Sequence, residues 1–201
     1  MQPQIAILVL AAGSSSRMGI PKQLLPWKNR TLIESVICTA QELGCANNIV
    51  ILGAHYHKIK PTIENYSIKT IYNKNWKKGL GNSIAFGVQH IKNNYQVDGI
   101  LVILADQPLV DSSYLMSLID TFEVGKNNII VSNYGNKKVG VPALFDKSYF
   151  DELSTLDEDK GAKQILKKHI ECLNMLKAEH LIADIDTKED YEQLYKANHQ
   201  L

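Results

Sequence analysis

The sequence predicts an α/β fold in which a mostly parallel sheet is covered by helices on both faces. Branched and aliphatic residues dominate positions 5–10, 48–52 and 99–104, which is typical of strands buried on both faces. Helical patterns separate the early strands in the order β-α-β-α-β, which favours parallel pairing. The 201 residues show no internal repeat, linker or low-complexity segment, so residues 1–201 are predicted to form one domain.

Composition excludes several classes of partner. Hydrophobic residues make up 45% of the chain and charged residues 21%, which is ordinary for a globular enzyme. The net charge of +1 argues against nucleic acid or an anionic membrane as a partner. No apolar segment is long enough to span a bilayer, so we expect no membrane association and a cytoplasmic location.

Cysteine and histidine spacing gives no sign of a soft-metal site. Cys38, Cys45 and Cys172 are odd in number and lack C-x-x-C spacing, which favours neither a disulfide framework nor zinc. His55 and His57 lie close together without a nearby carboxylate partner. We interpret them as surface or supporting residues and assign them no metal.

The first strand leads into a loop of small residues, positions 11–16, called here the small-residue loop. Its sequence is Ala-Ala-Gly-Ser-Ser-Ser, and Arg17 and Lys22 follow it. Small residues allow a ligand to approach the backbone, and clustered amides bind anions such as phosphate. Arg17 and Lys22 would add cations to such a site. The alternative is a solvated turn, and neither a P-loop nor a G-x-G-x-x-G motif is present.

The next elements follow from capping and periodicity. Thr31 and Glu34 form a capping box for a helix that reaches about Leu43. A strand at 48–52, a helix at 56–63 and a strand at 68–72 follow. A polar, glycine-rich stretch then leads to a helix at 84–90, which Asn82 or Ser83 could cap.

Asp106 follows the apolar strand 99–104 and therefore lies at the carboxyl edge of the sheet, where α/β folds bind ligands. Such a residue is often only a turn or cap. Here Asp111 or Ser112 is better placed to cap the helix that runs to Phe122. Asp106 is therefore a candidate ligand-binding carboxylate.

The C-terminal third is predicted from turn and capping signals. A strand at 129–132 and a partner at 138–144 should form a hairpin. A helix at 160–169 follows, with Asp159 as a possible cap, and then a last strand at 180–184. Thr187 with Asp190, or Asp186 with Glu189, could cap the final helix.

The segment Leu-Ala-Ala-Gly-x-Ser-Ser-Arg-Met-Gly-x-Pro-Lys at positions 10–22 resembles the signature of MobA-like nucleotidyltransferases. Within that family it is closest to the molybdenum cofactor cytidylyltransferases. Further motifs follow in the same order as far as Asp190. The resemblance implies a three-layer α/β/α Rossmann-like nucleotidyltransferase fold of the glycosyltransferase-A type, with a small β-hairpin insertion.

The resemblance also implies roles for individual residues. Arg17, Lys22 and Asp106 would be catalytic, with Lys22 neutralising a triphosphate and Asp106 binding Mg²⁺. Asp184 and Asp186 are further candidate metal ligands. The nucleotide-binding set is Leu10, Ala11, Ala12, Gly13, Ser14, Ser15, Lys22, Asn73, Gly81, Ser83 and Asp106. The implied acceptor-binding residues are Gly140, Pro142 and Asp159.

By this resemblance, the chain would transfer CMP from CTP to the phosphate of molybdopterin, forming the cytosine dinucleotide and releasing pyrophosphate. Ala11 and Ala12 match relatives that use CTP rather than GTP. Val141 and Glu158 depart from the family pattern at positions that shape the acceptor site, so the sequence does not determine the identity of the acceptor. The alternatives are a sugar phosphate or methylerythritol phosphate acceptor, or a non-enzymatic chaperone that delivers the cofactor to a molybdenum hydroxylase.

Overall fold

The computed structural model describes residues 2–135, 138–157, 161–178, 181 and 183–199. The strands are β1 (Ile5–Ala11), β2 (Pro26–Trp27), β3 (Arg30–Thr31), β4 (Asn47–Leu52), β5 (Lys69–Tyr72), β6 (Gly99–Leu104), β7 (Ile129–Asn133), β8 (Val139–Asp146) and β9 (Leu173–Lys177). The helices are α1 (Leu32–Glu42), α2 (Tyr56–Ile63), α3 (Leu80–Asn94), α4 (Ser112–Asp120), α5 (Phe150–Leu153), α6 (Lys163–Lys168) and α7 (Lys188–Asn198).

Within the described residues, seven strands form the central sheet in the order β5-β4-β1-β6-β8-β7-β9. Strand β1 pairs in parallel with β4 and β6, and β4 pairs in parallel with β5. Strand β8 is antiparallel to both β6 and β7, while β9 is parallel to β7. The expected hairpin is thus formed by β7 and β8, and it belongs to the main sheet. The mostly parallel sheet brings the carboxyl ends of β1, β4 and β6 to one edge.

The alternation of side chains along β1 explains the three layers. Ile7 and Val9 pack into one core cluster with side chains of α1, α2 and α4. Leu8 and Leu10 point to the opposite face and pack with α3. All four side chains are buried, which is why the strand reads as a continuous apolar run rather than an alternating one.

The start of α1 agrees with the sequence. Glu34 Oε2 accepts hydrogen bonds from the Thr31 backbone N–H and the Thr31 hydroxyl, both at 2.7 Å. The Glu34 N–H donates to Thr31 Oγ1 at 3.4 Å, which completes the capping box. Gly44 follows the helix with a φ of +69°, as a glycine at a helix end often does.

The start of α3 differs from the prediction. The helix begins at Leu80, four residues before the expected position, and Gly79 occupies the N-cap with a φ of +102°. Asn82 and Ser83 therefore lie in its first turn and do not cap it. Their side-chain oxygens instead accept hydrogen bonds from Asn73 Nδ2, each at 3.2 Å.

The prediction of a last strand at 180–184 was also wrong. The strand is β9 at 173–177, and described residues 181, 183 and 184 are not in a strand. Strand β9 is an edge strand that buries none of its residues fully, so it lacks the apolar signal of the central strands. Helix α6 begins at Lys163, and the predicted cap Asp159 falls outside the described residues.

The final helix α7 uses one of the two expected capping pairs, Thr187 with Asp190. A small antiparallel pair, β2 with β3, was not expected from the sequence. Trp27 on β2 is buried with Ile185, and its ring lies edge-on to the Tyr195 ring of α7, with centroids 6.0 Å apart. In the described part of the chain, no helix combines the length and apolarity that crossing a membrane requires.

Candidate active site

A cavity of about 440 Å³ opens at the carboxyl ends of β1 and β6. The predicted site residues that line it are Leu10, Ala11, Ala12, Gly13, Ser14, Ser15, Arg17, Lys22, Ser83, Asp106 and Asp186. The predicted residues Asn73, Gly81, Asp184, Gly140 and Pro142 do not line it. Asp159 lies outside the described residues.

Lys22 is the centre of the charged part of the cavity. Its ammonium lies 2.5 Å from Asp106 Oδ2 and 3.2 Å from Asp186 Oδ1. It also donates to the backbone carbonyl of Ile185 at 2.7 Å. Lys22 and Asp106, which the resemblance assigned to one site, are therefore in direct contact. The ammonium thus links the segment of Lys22 to the turn after β6 and to the segment before α7.

Burial and charge act in opposite directions on this pair. Burial lowers the pKa of Lys22, but the carboxylates of Asp106 and Asp186 outweigh it, so the pKa is raised above its ordinary value of 10.5. Burial raises the pKa of Asp106 above 3.8, and the nearby Lys22 ammonium offsets only part of that rise. Asp184 adds a repulsive charge to Asp106. Lys22 therefore stays protonated at neutral pH.

Arg17 extends the cationic side of the cavity towards solvent. Its Nη1 lies 3.1 Å from Asp186 Oδ2, and its side chain is 71% exposed. An exposed pair of this kind contributes little to stability. The Arg17 guanidinium is therefore held by a weak contact and is available to an incoming anion.

The three carboxylates near the cavity differ in how free they are to bind a divalent cation. Asp106 Oδ1 is buried and has no hydrogen-bond partner among the described residues. Asp184 Oδ1 accepts from Gln107 Nε2 at 2.8 Å, and Asp186 faces the cations of Lys22 and Arg17. Within the described residues, no three acidic, histidine or cysteine side chains group around a common point. Asp106, Asp184 and Asp186 therefore do not form a three-ligand cluster. Asp184 or Asp186 as a second ligand beside Asp106 stays a prediction.

The free oxygen of Asp106 nevertheless fits Mg²⁺. This ion is commonly held by one or two carboxylates together with substrate phosphates. A single unpartnered carboxylate oxygen beside a cavity that would contain those phosphates meets that requirement. Asp106 is the carboxylate that best fits the ion.

Asn73 is buried away from the cavity, although the sequence made it a candidate base contact. Its Nδ2 donates to Asn82 and Ser83, and its Oδ1 accepts from the Asn75 backbone N–H at 2.9 Å. The side chain thus joins the end of β5 to the start of α3. Gly81 lies buried within the first turn of the same helix.

The candidate acceptor residues lie on β8, next to the residue that follows Asp106. Gln107 Nε2 donates to the carbonyl of Val141, between Gly140 and Pro142, at 3.4 Å. A Cβ at Gly140 would lie 2.6 Å from the hydroxyl of Tyr134, so a side chain at this position would require the Tyr134 ring to shift. The segment therefore contacts the residue next to Asp106 but lies outside the lining of the cavity.

The cavity also contains residues outside the predicted set of site residues. Trp76, Lys77, Gly79, Leu80 and Leu104 line it, together with Ser16 and Gln23. Trp76 and Lys77 follow β5 at the same sheet edge as Asp106. The position of their segment after a parallel strand was the signal that could have identified them.

Comparisons with known proteins place these features in a family. Residues 7–173 match the model of the MobA-like NTP transferase domain. A nicotine blue oxidoreductase from Paenarthrobacter nicotinovorans is 30% identical over 206 residues, covering 96% of each chain. The purine catabolism protein PucB of Bacillus subtilis is 28% identical over 208 residues, covering 97% of this chain and 98% of that protein.

Solved structures share the fold. Rv0371c of Mycobacterium tuberculosis has a TM-score of 0.78 at 28% identity, covering 96% of this chain and 98% of that chain. The same protein in complex with manganese has a TM-score of 0.76 at 27% identity, covering 96% and 99%. A nucleotidyl transferase from Methanothermobacter, with a TM-score of 0.84 and 20% identity over 96% and 97% of the chains, shares the Rossmann-like fold. The chain, with its nucleotidyltransferase fold, belongs to the MobA-like NTP transferase family.

Proposed function

We propose that the chain transfers CMP from CTP to the terminal phosphate of molybdopterin, forming the cytosine dinucleotide and releasing pyrophosphate. The observation that carries this proposal is the contact of Lys22 with Asp106 beside the small-residue loop. A cation and a carboxylate with a free oxygen lie 2.5 Å apart at the edge of a cavity of about 440 Å³. A triphosphate with its divalent cation matches this pair of charges.

The protein's task in this reaction is alignment and charge neutralisation. An oxygen of the acceptor phosphate attacks the α-phosphorus, and the bond from that phosphorus to the bridging oxygen breaks. A phosphate nucleophile is already ionised near neutral pH, so no strong general base is needed. The amides of the small-residue loop, Arg17 and Lys22 would hold the β- and γ-phosphates and stabilise the leaving pyrophosphate.

Asp106 would hold Mg²⁺, with Asp184 or Asp186 as a second ligand once the present contacts are exchanged. When bound, Mg²⁺ neutralises phosphate charge and orients the phosphates. Lys22 would then exchange a contact with Asp106 or Asp186 for one with a phosphate oxygen. Ser83 lines the cavity and is the candidate for a contact to the base. Gly140 and Pro142 would shape the neighbouring acceptor site.

The experiment is an assay of pyrophosphate release with the four NTPs, each with and without molybdopterin, in the presence of Mg²⁺ or Mn²⁺. We expect release and a dinucleotide product with CTP and molybdopterin only. A sugar phosphate and methylerythritol phosphate serve as competing acceptors. Release with one of these and not with molybdopterin would contradict the proposed acceptor.

The same mixtures test the non-enzymatic alternative. A cofactor chaperone would bind molybdopterin and pass it to a molybdenum hydroxylase without consuming CTP. Lys22 and Asp106 argue against this role, because a carrier does not require a triphosphate site. Transfer of molybdopterin without pyrophosphate release would favour the chaperone.

The Paenarthrobacter relative is named as an oxidoreductase, which makes reduction of a dye such as nicotine blue a further alternative activity. Adding nicotine blue and a nicotinamide reductant to the same panel tests it. Reduction of the dye by the chain alone, without CTP turnover, would replace the proposed transferase activity.

A further inference from the structure

We propose that Gln23 and His55 are positioning residues that hold the small-residue loop in the orientation required to bind a triphosphate. This inference rests on the proposed function, because it takes the loop to be the phosphate site. The sequence left Gln23 without a role and made His55 a surface or supporting residue. Both side chains contact the backbone of the loop.

Every carbonyl group from residue 11 to residue 15 accepts a hydrogen bond from elsewhere in the protein. Gln23 Nε2 donates to the carbonyls of residues 11 and 13 at 3.3 and 3.2 Å. The Ala54 N–H donates to residue 12 at 3.1 Å, and the Met18 N–H donates to residue 15 at 2.9 Å. His55 Nε2 lies 2.8 Å from the carbonyl oxygen of residue 14. Two side chains thus supply three of these five contacts.

Gln23 is placed to act on more than one part of the loop. It is 3% exposed, and its Oε1 accepts a hydrogen bond from the Ser15 hydroxyl at 3.4 Å. The same hydroxyl oxygen accepts from the Lys22 backbone N–H at 3.1 Å. Ser15 has a φ of +52°, a left-handed conformation that a non-glycine residue seldom adopts without support. Gln23 therefore links the loop conformation to the backbone of Lys22.

His55 reaches the loop from the turn between β4 and α2. It is half-buried, and the residue before it supplies the Ala54 contact to the loop. Donation to the carbonyl of Ser14 requires a proton on Nε2. The ring is thus a fixed donor to the back of the loop rather than a surface group.

The consequence concerns the loop amides. In the described part of the chain, the N–H groups of residues 13–16 donate to no protein acceptor, and these residues line the cavity. Because each peptide unit is planar, holding its carbonyl also fixes the direction of the N–H that follows. The loop therefore presents donors that need no reorganisation when an anion arrives.

The test compares the binding of tripolyphosphate, CTP and cytidine, followed through the fluorescence of Trp76, which lines the cavity. The variants are His55→Leu and Gln23→Met, which remove the donors, and His55→Gln, which can restore one. His57→Leu is the matched control, since His57 is exposed and contacts Tyr56 and Tyr72 rather than the loop.

We expect His55→Leu and Gln23→Met to weaken tripolyphosphate and CTP binding about tenfold, as loss of a supporting contact to a binding group does. Cytidine binding should not change, and His55→Gln should bind as the wild-type protein does. Equal losses for cytidine and tripolyphosphate, or no rescue by His55→Gln, would overturn the proposal. A wild-type chain that binds neither tripolyphosphate nor CTP would instead refute the phosphate site itself.

A second measurement needs no variant. Hydrogen exchange at residues 13–16 of the wild-type protein should slow when tripolyphosphate binds, since the ligand then accepts from these amides. Exchange that is unaffected by bound tripolyphosphate would overturn the proposal, even if the variants fail to fold.

Discussion

Lys22 combines structural contacts with the proposed role in phosphate binding. Its ammonium contacts Asp106, Asp186 and the Ile185 carbonyl, so it holds three distant segments together. The same group is the cation best placed to receive a triphosphate. Binding must therefore replace internal carboxylate contacts by phosphate contacts.

Replacing Lys22 by Met should reduce kcat/KM for pyrophosphate release by about a hundredfold, or roughly 3 kcal/mol in the transition state, as for a lost charge-stabilising donor. Met preserves the length of the side chain but cannot donate. Steady-state kinetics measure the effect, with Lys58→Met, an exposed lysine of α2, as the control. A Lys22→Met protein with unchanged kcat/KM would disprove the role.

Replacing Asp106 by Asn should abolish metal-dependent turnover while the protein stays folded. The amide is the same size but lacks the charge that would hold the cation. Mn²⁺ titration monitored by electron paramagnetic resonance, with CTP present, should show a lost binding event. Retained activity in Asp106→Asn would remove the metal role from this residue.

Asp186 forms ion pairs with Arg17 and Lys22, the two cations that would bind a triphosphate. We expect Asp186→Asn to raise the affinity for metal-free CTP about threefold, since the lost contacts are largely exposed. Isothermal titration in EDTA measures this effect, and the same titration with Mg²⁺ tests the ligand role. Weaker binding in EDTA would mean that Asp186 is not a competitor for Arg17 and Lys22.

At the scale of elements, the ends of helices and strands carry the local information. Helix α1 starts with a complete capping box, and α7 starts with a second one. Strands β1 and β6 end at the loop and at Asp106, so the ends of two neighbouring strands supply the candidate site. The element ends therefore define both the helix boundaries and the ligand-binding edge.

The capping box of α1 gives a prediction for stability and its pH dependence. Thr31→Ala should lower the free energy of unfolding by about 1 kcal/mol. Burial raises the pKa of Glu34, but the hydrogen bonds from Thr31 and Tyr66 outweigh it and hold the pKa below 4.5. The stabilisation is thus present above pH 4.5 and is lost as the pH falls through the lowered folded-state value.

Urea unfolding of the wild-type protein and of Thr31→Ala at pH 7 and at pH 3 measures this effect. The difference between the two proteins should shrink at the lower pH, because the carboxylate becomes protonated. Ser35→Ala, at a half-buried position of the same helix outside the capping box, is the control. A difference that does not depend on pH would contradict the assigned cause.

At the scale of the whole molecule, Ile185 connects the segment before α7 to residues near the start of the chain. Its side chain is fully buried against Leu25, Trp27 and Leu32. Its backbone N–H donates to the Asp106 carbonyl at 3.2 Å, and its carbonyl accepts from Lys22. The segment before α7 is thus anchored beside the cavity by a contact that spans most of the sequence.

Ile185→Ala should lower the free energy of unfolding by about 2–5 kcal/mol, the range for truncating a buried aliphatic side chain. It should also raise the KM for the nucleotide, because the Asp186 segment loses its anchor. Thermal unfolding and kinetics measure both effects, with Ile170→Ala, a 60% exposed position, as the control. Destabilisation without a change in KM would separate the anchor from the site.

The sequence alone was sufficient where the determining physics is local. Continuous apolar runs predicted β1, β4 and β6, and hydrogen-bonding pairs predicted the starts of α1 and α7. The small-residue loop and Asp106 were recognised because each directly follows a buried strand. The resemblance placed Lys22 and Asp106 at one site, and the structure added their direct ion pair and the pairing of β1 with β6.

Only the tertiary structure decided which side chains are used for support. The buried Asn73 side chain donates hydrogen bonds to the first turn of α3. The edge strand lies at 173–177 instead of 180–184. Asp186 forms ion pairs with Arg17 and Lys22. The tertiary structure also brought the side chains of Gln23 and His55 into contact with backbone carbonyl groups of the loop. Such contacts depend on packing between residues far apart in the chain, which no local pattern encodes.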